Sequence, residues 1–416
     1  MAMSFPELVV ATGVKATDTA NLQAAIDRNC GDYSAWSWRR GVVVLYGHFM
    51  LNAPLVMNSR ATQAAKAPCL LVGLNGATLE YQGTTTNSSI ISCYGTSKNR
   101  IPILDGLIFN CSYKCRGPLI DQCGSYRCTM RDVTVLYTNQ VALDLVSCWG
   151  SHFENVKIIN CRGIGLRTTH YISSGWRNLH VSQSPVEETY WPATDDTTVL
   201  DYAGNPIQTA VTERAAVILS GGNHVCHQTL FEGCYAETYP LMHVGTANSR
   251  ISGIRMESNR YTNSSIVVSG GSDTDGRTVF SDIVGDWGHG GAGGKKSFLE
   301  LRGHTRDIVV SDAELLGFGT AVVRATEGTH SGIQIQRVKT TSNTIPESSW
   351  VIAEGDAVVD ATHSVIGSVR VRSTDAYLFG PDATVGSWRI IRSGDDLVLE
   401  RYDVDAWVPK EIFSAS

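Results

Sequence analysis

In Met130-Arg131-Asp132-Val133-Thr134-Val135, an apolar residue and a spacer precede a single Asp, and an apolar–x–apolar triplet follows it. The same phrase, with Asp, Asn or Gly as its third residue, begins again at Phe153, Trp176, Phe231, Ile251, Phe280 and Val310. We call this third residue the marker; with looser copies at Asp105 and Arg337, the markers lie at 105, 132, 155, 178, 233, 253, 282, 312 and 337. A repeat of mostly 20 to 30 residues built on alternating apolar residues is typical of a β-solenoid, in which each repeat forms one coil.

Composition and charge exclude several classes of protein. The chain has 416 residues, 40 of them Gly, and 18% are charged, which suits a turn-rich β protein. A net charge of −6 without a run of Lys or Arg argues against nucleic-acid binding. No apolar stretch approaches the ~20 residues that a membrane span needs, and Met1–Val14 lacks the pattern of a signal peptide. We therefore expect neither membrane insertion nor a secretion signal.

The cysteines allow two interpretations. Seven of the eleven lie between Cys93 and Cys161. A four-thiolate zinc site can be written with Cys111, Cys115, Cys123 and Cys128. The alternative is a ladder of small buried residues, because comparable segments end at Cys93, Cys123 and Cys148. We predict the ladder, with no metal and no cofactor.

The beginning of the chain resembles a known family. Asp18-Thr19 followed by Ala20–Asp27 predicts a capped helix, and Gly41–Gly47 predicts a buried strand that ends on glycine. Together they resemble the opening of the pectate-lyase-like right-handed parallel β-helix family that bacteriophage tailspikes use. In that family a short helix after an Asp-Thr pair caps the first coil and the strand ends in Pro-x-Gly. Here Tyr46 stands where Pro is expected, so the match is one of pattern.

The repeat also predicts the domain organisation. We expect an all-β, right-handed, single-stranded parallel β-helix (solenoid) with an N-terminal capping helix and a small C-terminal β module. Residues 1–40 form the lead-in and helix, 41–375 the β-helix, and 376–416 the module, which resembles the β modules that end tail fibres and tailspikes. A long insertion at 185–214 fills the 55-residue gap between markers 178 and 233.

Three successive carboxylates occupy one column of the aligned repeats. The residue after each marker is expected in the core, the second one outside, and the fourth outside or at a bend. At the fourth position the series contains Glu237, Glu257 and Asp286 in succession. Coils stack at about 4.8 Å, and paired carboxylates lie about 5 Å apart in retaining glycosidases and about 6.5–9.5 Å apart in inverting ones. We therefore predict that these three residues are catalytic, and the reaction geometry stays open.

Further residues are candidates for substrate binding. At the second position after their markers, Tyr235, Arg255 and His180 are expected on the same outer face. Arg255 suits an acidic sugar, while Trp191 and Tyr190 of the insertion offer flat surfaces for sugar stacking. Two alternatives remain open: ligand binding without turnover, and a solvated face with no ligand.

The tailspike resemblance implies a function. It implies a homotrimer on a phage virion, exposed to the host cell surface, that binds a host polysaccharide and depolymerises it as a glycoside hydrolase or polysaccharide lyase. Attachment through another tail protein is compatible with it. The alternatives are a non-enzymatic receptor-binding or structural spike, and a cellular polysaccharide lyase or epimerase.

Overall fold

The computed structural model describes residues 6–32, 41–57, 66–67, 69–94, 104–121, 129–146, 148, 150–169, 174–183, 215–220, 224–234, 240–245, 248–257, 264–270, 277–286, 297–317, 321–342, 350–353, 358–360, 376–379, 385, 388–393, 396–404 and 406–413. The chain divides into two compact units, Met1–Ser364 and Val365–Ser416.

Almost all regular structure in the described residues is strand. The first half of the chain forms β1 (Glu7–Val10), α1 (Lys15–Asn29), β2 (Gly31–Asp32), β3 (Val42–Leu51), β4 (Leu55–Met57), β5 (Lys66–Ala67), β6 (Leu70–Tyr81), β7 (Ile91–Tyr94), β8 (Leu104–Asn110), β9 (Leu119–Asp121), β10 (Thr129–Arg131), β11 (Thr134–Leu136), β12 (Leu143–Val146), β13 (Ser151–Cys161), β14 (Leu166–Thr169) and β15 (Ser174–Gln183). The rest of the first unit forms β16 (Val217–Ser220), β17 (His224–Glu232), β18 (Met242–Gly245), β19 (Arg250–Glu257), β20 (Ile266–Gly270), β21 (Thr278–Asp286), β22 (Ser297–Gly303), β23 (Thr305–Arg306), β24 (Ile308–Gly317), β25 (Ala321–Ala325), β26 (Thr329–Ser331), β27 (Gln334–Ser342), β28 (Val351–Ala353) and β29 (Val358–Asp360). The second unit forms β30 (Ala376–Phe379), β31 (Trp388–Ser393), β32 (Asp396–Asp403) and β33 (Ala406–Phe413).

The first unit is a parallel β-helix. Its 13-stranded first sheet runs in the order β1-β3-β6-β8-β10-β13-β15-β17-β19-β21-β24-β27, with β11 beside β8 and β13. Its 11-stranded second sheet runs β4-β7-β9-β12-β14-β16-β18-β20-β22-β25-β28, and β23, β26 and β29 form a short third sheet. The chain therefore alternates between sheets and pairs each strand with the equivalent strand one coil further on. The second unit is a four-stranded antiparallel sheet. The predicted fold class, a parallel β-helix with an N-terminal helix and a small C-terminal β module, is confirmed.

The markers have a distinct backbone conformation. In the first sheet, residues 106, 132, 155, 178, 228, 253, 282, 312 and 337 all have φ between +50° and +69°. This conformation interrupts the alternation of side chains: Phe153 and Val156 are both buried although they are three residues apart, and Glu154 and Asn155 between them lie toward the outside. The repeated phrase is thus two short strand segments joined by one left-handed residue.

The structure confirms seven of the nine predicted markers and corrects the other two. The loose copy at Asp105 is displaced by one residue, since Gly106 has the positive φ. The marker predicted at Gly233 is wrong, because Gln228 is the residue in register with Gly253. Gly233 also has positive φ, but it follows the end of β17. The prediction therefore took Gly233 for the marker, five residues after the true marker at Gln228.

Helix α1 begins earlier than predicted and is stabilised differently. It starts at Lys15, so Asp18 lies within its first turn instead of capping it. The buried Asp18 carboxylate accepts hydrogen bonds from the Thr12 backbone N (2.7 Å), Thr12 Oγ1 (2.7 Å) and the Met50 backbone N (3.1 Å). The predicted apolar face is confirmed, since Leu22, Ala25 and Ile26 are all buried. Asp18 therefore ties the helix to the strand beneath it.

The second sheet carries buried charges. Arg167 is fully buried and donates from Nε to Asp144 Oδ1 (3.0 Å) and from Nη2 to Asp144 Oδ2 (2.5 Å), which joins adjacent strands β12 and β14. Further along the same sheet, buried Glu300 accepts hydrogen bonds from Arg302 Nε (2.7 Å) and Arg324 Nη2 (2.6 Å). Buried charges require such partners, and the Asp144–Arg167 and Glu300–Arg324 pairs each join adjacent coils.

All nine cysteines in the described residues are buried, and no disulfide joins any of them. Burial raises the pKa of Cys161 and of Cys226 to about 12, so both thiols are core side chains of low reactivity. The register of the ladder predicted for Cys93, Cys123 and Cys148 is wrong. Ile120 pairs with Cys93 on one side and with Leu145 on the other, so the residue equivalent to Cys93 two coils further on is Leu145 and not Cys148. Cys123 and Cys128 lie outside the described residues.

The described residues contain neither a metal-binding cluster nor a membrane-spanning helix. Among those residues, no group of three or more His, Cys, Asp or Glu side chains is arranged to hold a metal ion. No helix there is long and apolar enough to cross a membrane.

A buried histidine predicts how stability depends on pH. His224 is fully buried at the start of β17, and desolvation lowers its pKa to about 4, whereas a solvated His has a pKa of about 6.5. Below pH 6.5 the unfolded chain binds a proton at this residue that the folded chain does not. The stabilising contribution is therefore complete above pH 6.5 and is lost as the pH falls toward 4, by about 3 kcal/mol.

This prediction is tested by measuring the free energy of unfolding in urea across this pH range. A His224→Gln variant is expected to have a shallower pH dependence than the native chain. The matched control is His152→Gln, since His152 is exposed on the same sheet. Equal pH slopes for His224→Gln and the native chain would show that this residue makes no such contribution.

Candidate functional site

A groove runs along the outer face of the first sheet. It consists of two adjoining concave regions of about 660 and 560 Å³. Three residues line both regions: Gln228, Gly253 and Asp282. Its floor is formed by six successive markers, Asp132, Asn155, Asn178, Gln228, Gly253 and Asp282. Six coils at about 4.8 Å per step give a floor about 24 Å long. The groove is therefore long and open, as a polymer requires.

The left-handed markers place polar side chains on this floor. Asn155 Nδ2 donates to Asp132 Oδ1 (2.8 Å), and Asn178 Nδ2 donates to Asn155 Oδ1 (2.8 Å). Asn and Asp tolerate positive φ better than other side chains, so the same residues satisfy the backbone and line the groove. At Gly253 (φ +69°) a Cβ atom would lie 3.0 Å from the Gln228 backbone N, which favours glycine there.

One wall of the groove consists of the residues two positions after the markers. This wall comprises Thr134, Lys157, His180, Leu230 and Arg255, which lie in register on successive strands. The second position after the marker faces outward, as predicted. The predicted binding residues Arg255 and His180 therefore lie in one row that lines the groove.

The wall cations differ from other cations of this sheet. Elsewhere on it, Arg131 Nη2 lies 2.5 Å from Asp105 Oδ2, Arg337 Nε 2.5 Å from Asp312 Oδ1, and Lys339 Nζ 3.0 Å from Glu314 Oε1. Lys157 and Arg255 are exposed and form no ion pair with any described residue. Their charges face the groove without a counter-ion from the sheet.

The histidine of the wall, His180, lies beside a carboxylate. His180 Nε2 lies 3.0 Å from Glu232 Oε2, on the next coil. Only 23% of the His180 side chain is exposed, and the geometry of this contact is not that of a hydrogen bond. His180 thus links the wall to the row of carboxylates beyond it.

The strand register places Glu232, and not the predicted Glu237, next to Glu257. Glu232 is in register with Glu257, and the pairing of Met256 with Gly285 places Asp286 one coil further on. Glu232, Glu257 and Asp286 therefore follow one another at about 4.8 Å. The column lies two residues beyond the wall row, beside the groove. Glu232 and Glu257 are exposed.

Other predicted site residues cannot be placed. The described residues do not include Glu237, Tyr235, Trp191, Tyr190 or the side chain of Asp286. Because the marker of this coil is Gln228, the wall position predicted for Tyr235 belongs to Leu230. The catalytic and binding roles of all these residues stay predictions.

The polar floor is the functional feature that the sequence interpretation missed. Asp282 lines both concave regions, yet in the sequence it serves only as a marker of the repeat. The signal was present, since the markers are polar or glycine and recur once per coil. Strict alternation, however, predicts a flat strand, and a flat sheet has no groove.

No protein-family model matches the chain, and no curated protein sequence matches it. Among solved structures, the chain is similar to the enzymatically active domain of tailspike protein 2 of bacteriophage CBA120, with a TM-score of 0.54 and 10% sequence identity over 95% of this chain and 60% of that one. It is also similar to the full-length tailspike protein 2 from the Escherichia coli O157:H7 bacteriophage, with a TM-score of 0.53 and 9% identity over 98% of this chain and 63% of that one. At this identity the similarity shows the fold alone, and the chain spans about three fifths of the proteins it resembles.

Proposed function

We propose that the protein is a phage tailspike that binds a host-surface polysaccharide in the groove of the first sheet and depolymerises it. The observation that carries the proposal is the polar floor, which extends about 24 Å over six coils. A small-molecule ligand is usually bound in a closed pocket, whereas an extended polymer binds along an open groove of this kind. The tailspike fold supports the same interpretation.

The side chains of the groove suit a carbohydrate. Amide and carboxylate groups at Asp132, Asn155, Asn178 and Gln228 offer both donors and acceptors, as sugar hydroxyl groups require. They repeat once per coil, so equivalent groups meet successive parts of a polymer. A repeating ligand therefore fits a repeating floor.

We assign cleavage to the carboxylate column beside the groove. One carboxyl group protonates the leaving oxygen while a second activates water or abstracts a proton. Glu257 and Asp286 keep the roles predicted from the sequence, and Glu232 is added because it occupies the place beside Glu257. Both hydrolysis and β-elimination are compatible with carboxylates on adjacent coils.

A second candidate function is binding without cleavage. It is favoured by the surroundings of two of the carboxylates: Glu257 is exposed, and Glu232 is exposed with one oxygen 3.0 Å from His180 Nε2. A general acid usually owes its retained proton to burial, and Glu257 lacks that burial in this structure. In both candidates the chain acts as a homotrimer on the virion, attached directly or through another tail protein.

The two candidates are separated by one experiment. The purified chain is incubated with a panel of bacterial surface polysaccharides, and binding, new reducing ends and the ultraviolet absorbance of unsaturated sugars are measured. Binding with new reducing ends is expected; added absorbance identifies a lyase. Binding without new ends supports the second candidate, and a panel with no bound polysaccharide contradicts both.

A further inference from the structure

We propose that the groove selects an acidic polysaccharide, whose anionic groups are bound by Lys157 and Arg255. This inference rests on the proposed function and adds the chemical class of its substrate. It requires that both cations are available, that the surrounding charges leave room for an anion, and that the spacing fits a polymer.

The availability of the two cations follows from the ion pairs of the first sheet. Its described strands contain seven Lys and Arg residues. Four lie within 4 Å of a carboxylate on an adjacent coil, namely Arg131, Arg177, Arg337 and Lys339. Lys157, Arg250 and Arg255 have no such partner among the described residues, and of these only Lys157 and Arg255 line the groove. The sheet thus leaves two cations unpaired on one wall.

The floor between these cations is uncharged. Lys157 lies on the coil of Asn155 and Arg255 on the coil of Gly253, and the intervening markers are Asn178 and Gln228. The carboxylates of the floor, Asp132 and Asp282, lie one coil outside this segment at either end. A polymer with anionic groups therefore meets positive charge inside the segment and negative charge at its limits.

Three acids near the segment lie outside ion-pair distance of both cations. Glu232 lies 3.0 Å from His180, and Glu154 lies 3.9 Å from Arg177. The exposed Glu257 is two residues beyond Arg255 and lines neither concave region. No carboxylate of the described residues therefore neutralises the wall within the segment.

The spacing argues for a sparsely charged polymer. Three coils separate Lys157 from Arg255, or about 14 Å. A nucleic acid carries one charge per about 1.7 Å and would need many more cations than two. A polysaccharide with an acidic group in each repeating unit presents isolated charges to isolated cations. Arg255 suits a carboxylate or phosphate in particular, because its guanidinium group can donate two parallel hydrogen bonds.

The test compares matched variants on matched ligands. The probes are the polysaccharides bound in the panel above, each before and after chemical reduction of its carboxyl groups, and after dephosphorylation where it carries phosphate. Lys157→Gln and Arg255→Gln are each expected to weaken binding about 10-fold and to reduce its salt dependence. The control, Arg250→Gln, removes an unpaired, exposed Arg from the same strand as Arg255 but outside the groove, and should change affinity less than twofold.

The ligand arms identify the anion. Loss of binding after carboxyl reduction assigns it to a carboxylate, and loss only after dephosphorylation assigns it to a phosphate. A bound polysaccharide that is neutral, or whose affinity survives both substitutions, overturns this inference and leaves the proposed function intact. If no polysaccharide binds the native chain, the proposed function fails first and this inference fails with it.

Discussion

Replacement of Asp144 by Asn is expected to lower the free energy of unfolding by about 3–5 kcal/mol. Asp144 and Arg167 are 3% and 0% exposed, and both carboxylate oxygens accept hydrogen bonds from the guanidinium group. The substitution removes the negative charge that faces Arg167 inside the second sheet and replaces one of the two carboxylate oxygens that accept its hydrogen bonds by an amide NH2 group. A guanidinium group keeps its proton in proteins, so the charge cannot be relieved by titration. The loss is measured as a shift in the urea or thermal unfolding transition.

An exposed ion pair of the same kind is the control. Asp312 and Arg337 also join adjacent coils through two hydrogen bonds, but their side chains are 47% and 56% exposed. Exposed ion pairs contribute little to stability, and Asn tolerates the positive φ of residue 312. Asp312→Asn is therefore expected to shift the transition far less. Equal shifts for the two variants would show that burial does not determine the cost.

A double variant separates the charge from the packing. Asp144→Leu combined with Arg167→Met replaces both charged groups of this pair by apolar ones, so that neither charge is left facing the place of the other. Such replacements are often neutral or stabilising. We expect the double variant to unfold close to the native transition although the single Asp144→Asn variant does not. A double variant as unstable as the single one would assign the loss to shape instead of charge.

The alternation of apolar residues predicted the fold better than it predicted the candidate site. Core positions such as Val156 and Ile254 were predicted correctly, because apolar residues that repeat once per coil have to share an interior. The markers at Asn155 and Asn178 were found for the same reason. Their left-handed backbone could be inferred only weakly, since Asn favours positive φ without requiring it.

The predicted register of the repeat is wrong at the coil whose marker has no local signal. At the coil of β17 the phrase reads Cys226-His227-Gln228-Thr229-Leu230-Phe231, with Gln as its marker and Thr at a core position. Neither residue type is typical of its place, and a glycine five residues later imitates the marker. The error moved one carboxylate of the predicted column and left Glu257 and Asp286 in consecutive coils. Pairing of His227 and Thr229 with both adjacent coils accompanies the positive φ of Gln228, a conformation that its own propensity disfavours.

Substitutions in the carboxylate column are expected to have the largest effect on activity. Glu257→Gln and Asp286→Asn should each lower the rate of polysaccharide cleavage by about 10²–10⁴-fold. Both changes preserve size and remove the ability to transfer a proton. Because the column lies beside the wall and not on the floor, the dissociation constant for the uncleaved polysaccharide should change only a few-fold. Reducing ends and binding are measured on the same preparations.

Two further variants decide which residue completes the column. Glu232→Gln tests the neighbour that the strand register assigns to Glu257, and Glu237→Gln tests the neighbour predicted from the sequence. Glu314→Gln is the control, since Glu314 is an exposed carboxylate of the same sheet that pairs with Lys339 outside the column. If register governs the chemistry, Glu232→Gln lowers cleavage and Glu237→Gln does not. If both Glu257→Gln and Asp286→Asn cleave the polysaccharide at the native rate, catalysis by this column is contradicted. A general acid or general base cannot transfer a proton once its titratable group has been removed.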